Sequence, residues 1–183
     1  MNIFVLDDNP TLAAQLQCDK HVVKMIVESA QMLSTAHRLL DGKLVEGVSK
    51  SGRKSKQWHL SDYRNDTLYK AVHMNHPCTV WTMESSANYV WHYIHFLSLC
   101  DEYTFRYRKI HATDKLLKDI LCKIPRNIPK IGRTPFKLAM NASPECVVPN
   151  NPVASYRNFY KTKQSRFKMA WTSREIPEWF QAA

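Results

Sequence analysis

The chain has 183 residues, 44% hydrophobic and 11% aromatic, with 26 Lys+Arg against 16 Asp+Glu for a formal charge of +10. That length and apolar content suit one compact domain with a core and exclude disordered, collagenous and coiled-coil classes. With only 4 glycines and no Gly-rich phosphate loop, P-loop, dinucleotide-binding, barrel and sandwich folds are set aside, and the expected class is all-α: a compact single-domain helical bundle with long irregular loops.

In chain order, Ile3 to Leu6 reads as an opening strand or extended piece. Asp7, Asp8, Asn9 and Pro10 supply a cap and a first-turn proline for a long helical stretch reaching about Leu40, which Asp41-Gly42 ends. Residues 43–57, rich in Lys, Ser and Gly, are expected to form a mobile basic loop that clamps phosphates. Residues 60–72 suggest a short helix. His76-Pro77 opens a second long helix expected to run to about Arg108, and another covers roughly 113–123. The prolines of 124–151 make an irregular connector, after which Asn151-Pro152 caps a helix through about Phe167. The tail, with Trp171, Ile176, Trp179 and Phe180, is expected to pack back on the body. No internal repeat is present.

No apolar run approaches the roughly 20 residues of a membrane span, and the opening residues lack a basic region followed by an apolar stretch. The chain is therefore expected to be cytoplasmic with no membrane partner. The 5 cysteines are scattered, which fits reduced thiols. Cys18-x-x-His21 and His73-x-x-His76-x-Cys78 contain residue types that zinc prefers, but the spacing lacks the paired regularity of zinc signatures, so no metal and no cofactor are expected.

The positive charge suits a polyanionic partner, nucleic acid before membrane. Lys50, Arg53, Lys54 and Lys56 gather in the basic loop, and Arg157 and Lys161 interleave with Tyr156, Phe159 and Tyr160. Cations for phosphates beside flat rings for bases are what strand-binding surfaces use, so these residues, with His73 and His76, are the expected nucleic-acid contacts. Trp58, Tyr63 and Tyr69 beside the loop are candidates for stacking on a displaced base.

Gln17, His21, Lys24, Glu28, Gln31 and Thr35 are spaced four and three apart, which puts them on one side of a helix whose remaining circumference is apolar or small. A narrow polar stripe on a largely apolar helix predicts burial, with the stripe facing a cleft. Glu84, Asn88, His92 and His95 repeat the design on the second long helix. Two such stripes, facing one another, would bring an amine, carboxylates and imidazoles into one pocket.

The opening Met1 to Leu6, the block Cys18-Asp19-Lys20-His21-Val22-Val23-Lys24 leading to Glu28-Ser29-Ala30-Gln31, and Asn75-His76-Pro77-Cys78 with Trp81 resemble an uncharacterised family of small phage proteins. More distantly, the order of parts resembles the phage endonuclease V type of pyrimidine-dimer DNA glycosylase and abasic-site lyase, which is small, basic and all-helical. That resemblance implies base excision on double-stranded DNA: an amine attacks the sugar C1′, expels the base and leaves a Schiff base that permits strand cleavage. In that family the amine is the α-amine of a small residue exposed by removal of the initiator Met. Here Asn2 is bulky enough for Met1 to be retained, Lys20 and Lys24 stand where the family has arginines, and His21 stands where it has its glutamate. The carry-over makes Lys24, desolvated on its apolar helix, the expected amine, Glu28 the carboxylate that stabilises the cationic sugar, and His21 the proton shuttle, with Lys20 and the Met1 amine as other candidate nucleophiles. A non-catalytic nucleic-acid-binding protein and an enzyme acting on a free or modified nucleotide are the alternatives.

Overall fold

Asn9 caps the first helix, α1 (Pro10–Gln15), by accepting from the Thr11 and Leu12 N–H groups. A computed structural model describes residues 1–48, 52 and 54–181. The expected continuation of this helix to Leu40 is interrupted after Leu16. Trp171 Nε1 donates to the Leu16 carbonyl at 2.9 Å and Cys18 N–H donates to Tyr160 Oη at 2.8 Å, so groups that would continue the helix are taken by distant aromatic residues. The chain resumes as α2 (Asp19–Asp41). It ends at Gly42, where a Cβ would lie 2.4 Å from the Arg38 carbonyl oxygen, so the exit from α2 requires glycine.

The fold is mostly helical rather than purely all-α, because the described residues of 43–57 are largely strand and not loop. They contribute β1 (Lys43–Val48) and most of β2 (Lys54–His59), which pair antiparallel with Leu44 opposite Trp58 and Val45 opposite Gln57. A short connection containing Gly52 between runs with valine and tryptophan is a hairpin signal that the density of Lys and Ser obscured. Lys50 and Arg53 lie outside the described residues.

The buried Arg38 guanidinium explains why 60–72 forms only a short helix, α3 (Arg64–Thr67): it donates to the carbonyls of Trp58, Asn65, Leu68 and Tyr69 and takes acceptors that a longer helix would use. The second long helix is also divided, into α4 (Pro77–Glu84) and α5 (Ser86–Tyr107). Ser85 Oγ caps α5 by accepting from Asn88 N–H, and Ser86 N–H donates to the Pro129 carbonyl. α6 (Ala112–Leu121) follows, and the proline-rich connector is irregular apart from a 3₁₀ turn at Pro144–Cys146. α7 (Pro152–Lys161), capped by Asn151, passes into a 3₁₀ turn, Thr162–Ser165, and so ends short of Phe167. The tail carries α8 (Glu178–Gln181) and packs back as expected, with Trp171 buried.

α2 packs against α4, α5 and α6, and α1 against α5. The opening residues run through the core these helices make: Ile3, Val5 and Leu6 are at most 1% exposed. Buried ions tie the periphery down. Arg106, with a fully buried side chain, joins Asp19 to Glu102, which in turn holds Arg174 of the tail. Among the described residues no helix is long and apolar enough to cross a membrane.

The core also holds histidines in the neutral form. Tyr89 Oη donates to the Leu121 carbonyl and therefore accepts from His37 Nε2–H at 2.8 Å, which leaves His37 Nδ1 to accept from Arg64 Nη1. Burial, and then the Arg64 charge, push His37 down to about 4. Burial alone pushes His95 down to about 4, and burial followed by Lys24 and Lys163 does the same to His21. The unfolded chain takes up protons below about pH 6.5 that the native chain refuses until about pH 4, so this stability is present above pH 6.5 and is lost as the pH falls through that window. At pH 5 each of these histidines is expected to lower the unfolding free energy by about 2 kcal/mol relative to pH 7.5. Urea unfolding at the two pH values measures it; equal free energies would contradict the buried, neutral assignment.

Candidate active site

The polar stripe of α2 does not act as one unit. His21, Lys24 and Glu28, with Met25, line a cavity of about 360 Å³, within the range of small-ligand sites. Gln31 and Thr35 do not line it. Thr35 Oγ1 instead bonds the Val72 backbone, and Gln31 is half-buried. Gln17 precedes α2: its amide donates to the Ile3 carbonyl and to His95 Nε2, while His95 Nδ1–H donates to the Pro10 carbonyl. The expected meeting of two stripes is thus confined to Gln17 and His95, and it anchors the chain start rather than forming a pocket. Asn88 and His92 are likewise structural. Asn88 donates to the Trp81 carbonyl and to Thr134, and His92 Nδ1–H donates to Thr82 Oγ1. Glu84, at the end of α4, pairs with Lys137.

The wall facing α2 is the chain start. Asn2 is buried, with its side chain donating to the Ala139 carbonyl and accepting from Phe4 N–H. Its backbone N–H donates to Glu28 Oε2 at 2.8 Å, and the Met1 amine lies 3.7 Å from the same oxygen. Lys24 reaches Glu28 Oε1 at 3.2 Å, but its side chain is 66% exposed, so the expected desolvation of Lys24 does not occur; the ammonium snorkels to the rim. Phe4 adopts φ 55°, a left-handed conformation that a bulky residue avoids unless its surroundings impose it, and such strain concentrates at functional sites. This turns the Phe4 ring onto His21, stacked at 4.7 Å.

The remaining wall comes from α7 and the turn after it: Phe159, Lys163, Arg166 and Phe167. Lys163 is only 8% exposed and its Nζ sits 3.3 Å from the centre of the Phe159 ring. Lys20 lies over Phe167 at 4.8 Å, at the cavity edge. His21 Nδ1 meets Tyr160 Oη at 2.8 Å, and the ring is held neutral at pH 7 by burial and by the Lys24 and Lys163 charges. His76 caps α4 and faces the Met1 amine; burial first, and that amine second, lower its pKa. The resulting chamber gathers amines, one buried carboxylate, a neutral imidazole, an exposed guanidinium and aromatic faces.

The other expected contacts lie elsewhere. Lys54 and Lys56 project from the hairpin, and His73 is exposed on the loop before α4. Arg157 is engaged on the opposite side of the chain start, bonding the Leu6 carbonyl and pairing with Asp7 at 3.5 Å. Lys161 ends α7 half-buried. Of the stacking candidates, Tyr63 is 58% exposed, whereas Tyr69 is fixed to Thr113 and Trp58 is half-buried in the sheet. Among the described residues no three His, Cys, Asp or Glu side chains gather as metal ligands; Cys18 and Cys78 are buried against Tyr160 and Tyr156. A larger cavity of about 730 Å³ separates α1 from the tail, but the arginines in it are already matched by Asp7 and Glu102.

Sequence reasoning passed over Phe4, Lys163, Arg166 and Phe167 as site residues, although the acid-free basic and aromatic run from 153 to 174 was the signal that contained three of them. Comparison with known proteins finds no matching family model, no matching curated protein and no matching solved structure.

Tyr160 is the support on which the His21 side of the chamber rests, because its fully buried hydroxyl serves both Cys18 N–H and His21. Tyr160→Phe leaves those groups without a partner and is expected to cost about 2 kcal/mol of stability. Chemical denaturation beside the unaltered protein measures it; an unchanged midpoint would contradict this role.

Proposed function

We propose that this chain is a DNA-acting base-excision enzyme of glycosylase and abasic-site lyase type. The observation that carries the reading is the joint presence, in one nucleotide-sized chamber, of amines, the buried Glu28 carboxylate and the Phe4, Phe159 and Phe167 rings. Excision requires a nucleotide to leave the duplex and enter a pocket where its base meets apolar and aromatic faces. It then requires an amine for the sugar C1′ and a carboxylate for the positive charge that develops there.

In this reading Glu28 faces the sugar, braced by Asn2 N–H so that it keeps its place as charge builds. His21 enters the reaction as a neutral imidazole that takes up a proton, since an imidazole held near 4 has none to give at pH 7. Lys20, Lys24 and Arg166 stand at the rim, where they hold the flanking phosphates. Lys54 and Lys56 on the hairpin, with Lys50 and Arg53 of the same segment, extend that grip along the double-stranded DNA. The cavity volume, which accommodates one nucleotide, favours a second reading: the same groups acting on a free or modified nucleotide, with the rim cations on its phosphates.

Incubation with UV-irradiated, abasic and undamaged duplexes, with and without EDTA, tests the assignment. Lesion-dependent cleavage that survives EDTA is expected, and Glu28→Gln should lower its rate by about 10²- to 10⁴-fold while duplex binding persists. Cleavage of none of the duplexes, with mononucleotides binding instead, would favour the second reading. Replacing Lys50, Arg53, Lys54 and Lys56 together should lessen the slope of log affinity against log salt by about 0.9 for each phosphate that is no longer neutralised. An unchanged slope would remove the hairpin from the interface.

A further inference from the structure

We propose that Lys163, rather than Lys24 or the Met1 amine, is the catalytic amine that bonds covalently to the sugar; this inference rests on the base-excision reading above. The amines of the chamber differ in their partners. The Met1 amine and the Lys24 ammonium converge on opposite oxygens of the one Glu28 carboxylate, so each already faces an anionic partner. Lys163 makes no ion pair among the described residues, and its Nζ rests on the Phe159 face instead. It is also the most enclosed lysine of the cavity wall, 8% exposed against a Lys24 side chain that is 66% exposed.

Position supports the same choice. Lys163 lies inside the 3₁₀ turn, where its carbonyl accepts from both Arg166 N–H and Phe167 N–H, so the backbone carrying the amine is fixed relative to a phosphate-binding cation and a stacking ring. A lysine becomes a nucleophile when enclosure and a neighbouring cation favour its neutral form. Burial, and then the Arg166 charge, both act on Lys163 in that direction. Lys163 is also near enough to His21 to depress that imidazole, which places the amine and a proton acceptor on adjacent walls.

On the ring-opened aldehyde of an abasic site the step balances without an added oxidant or reductant. The Lys163 Nζ lone pair forms the N–C1′ bond, the carbonyl oxygen acquires protons and leaves as water, and a protonated imine remains. The C2′ proton then passes to Glu28 and the electron pair it leaves behind forms the C1′–C2′ double bond of an enamine, the imine pair moving onto nitrogen. The nitrogen lone pair then restores the imine, the C1′–C2′ pair shifts to form the C2′–C3′ double bond, and the C3′–O3′ bond breaks with its electrons departing on the phosphate. Water hydrolyses the imine and returns the free amine.

The experiment is adduct mapping. The full chain is incubated with a duplex bearing one abasic site in the presence of sodium cyanoborohydride, and the reduced adduct is located by peptide mass spectrometry. An adduct on Lys163 is expected. Lys163→Arg, which retains the cation, and Lys163→Met, which retains the apolar stem, should both bind the abasic duplex and lose the adduct. An adduct on Lys24 or Met1, or one that persists in Lys163→Arg, would overturn the assignment and leave base excision standing. Absence of any adduct on the unaltered protein would overturn the lyase reading itself, and this inference with it.

Discussion

The Glu28 carboxylate is buried on a helix that is otherwise apolar or small on most sides, and a carboxylate so placed must be met by donors and positive charge at a desolvation cost of several kcal/mol. The chain start supplies most of them, since Asn2 N–H and the Met1 amine both approach Oε2, while Lys24, one turn away on α2, covers Oε1. Much else follows from that meeting. To bring Asn2 to Glu28, the opening residues run through the core, and Gln17, His95 and Ala139 fix their carbonyls and side chains along the way. Phe4 is then forced into a left-handed conformation and presents its ring to the chamber. The wall of the site and the anchoring of the chain start are one arrangement.

The site is built against a stability gradient. Lys24, Lys163 and Arg166 surround one carboxylate and one neutral imidazole, so the chamber carries more positive charge than its own residues neutralise. Elsewhere buried arginines are matched: Arg64 has Asp41 and Asp62, Arg106 has Asp19 and Glu102, and Arg38 is met by a ring of backbone carbonyls. An unmatched cluster beside matched ones fits a place reserved for an anion, and the stability it forgoes is consistent with the general trade between activity and stability.

The sequence showed the helices more clearly than their interruptions. Periodicity placed α2 and α5, and the Asn9-Pro10, His76-Pro77 and Asn151-Pro152 pairs marked three starts correctly. The breaks at Leu16–Cys18 and at Ser85 depend on Trp171, Tyr160 and Pro129, partners that no local window contains. The hairpin was hidden by composition, since its strands are rich in lysine and expose β1 along its whole length. For the site, helical spacing found His21, Lys24 and Glu28 but also gathered Gln17, Asn88 and His95, which bond backbone carbonyls, and His92, which bonds Thr82 Oγ1. Spacing identifies a shared face; it does not say whether that face meets a cavity or a neighbouring carbonyl. Lys163 stood in the basic and aromatic run from 153 to 174 but could not be told apart from the other lysines there, because its lack of an ion pair among the described residues is a property of the fold.

The most direct test of the central claim, that the chamber between α2, the chain start and α7 receives a nucleotide from DNA, is NMR chemical-shift mapping with a duplex carrying a single tetrahydrofuran abasic analogue. The account predicts that the largest changes centre on Phe4, His21, Phe159 and Lys163, with smaller ones along the hairpin, and that an undamaged duplex moves the hairpin alone. Changes confined to the hairpin with both duplexes, or centred on the cavity between α1 and the tail, would contradict it.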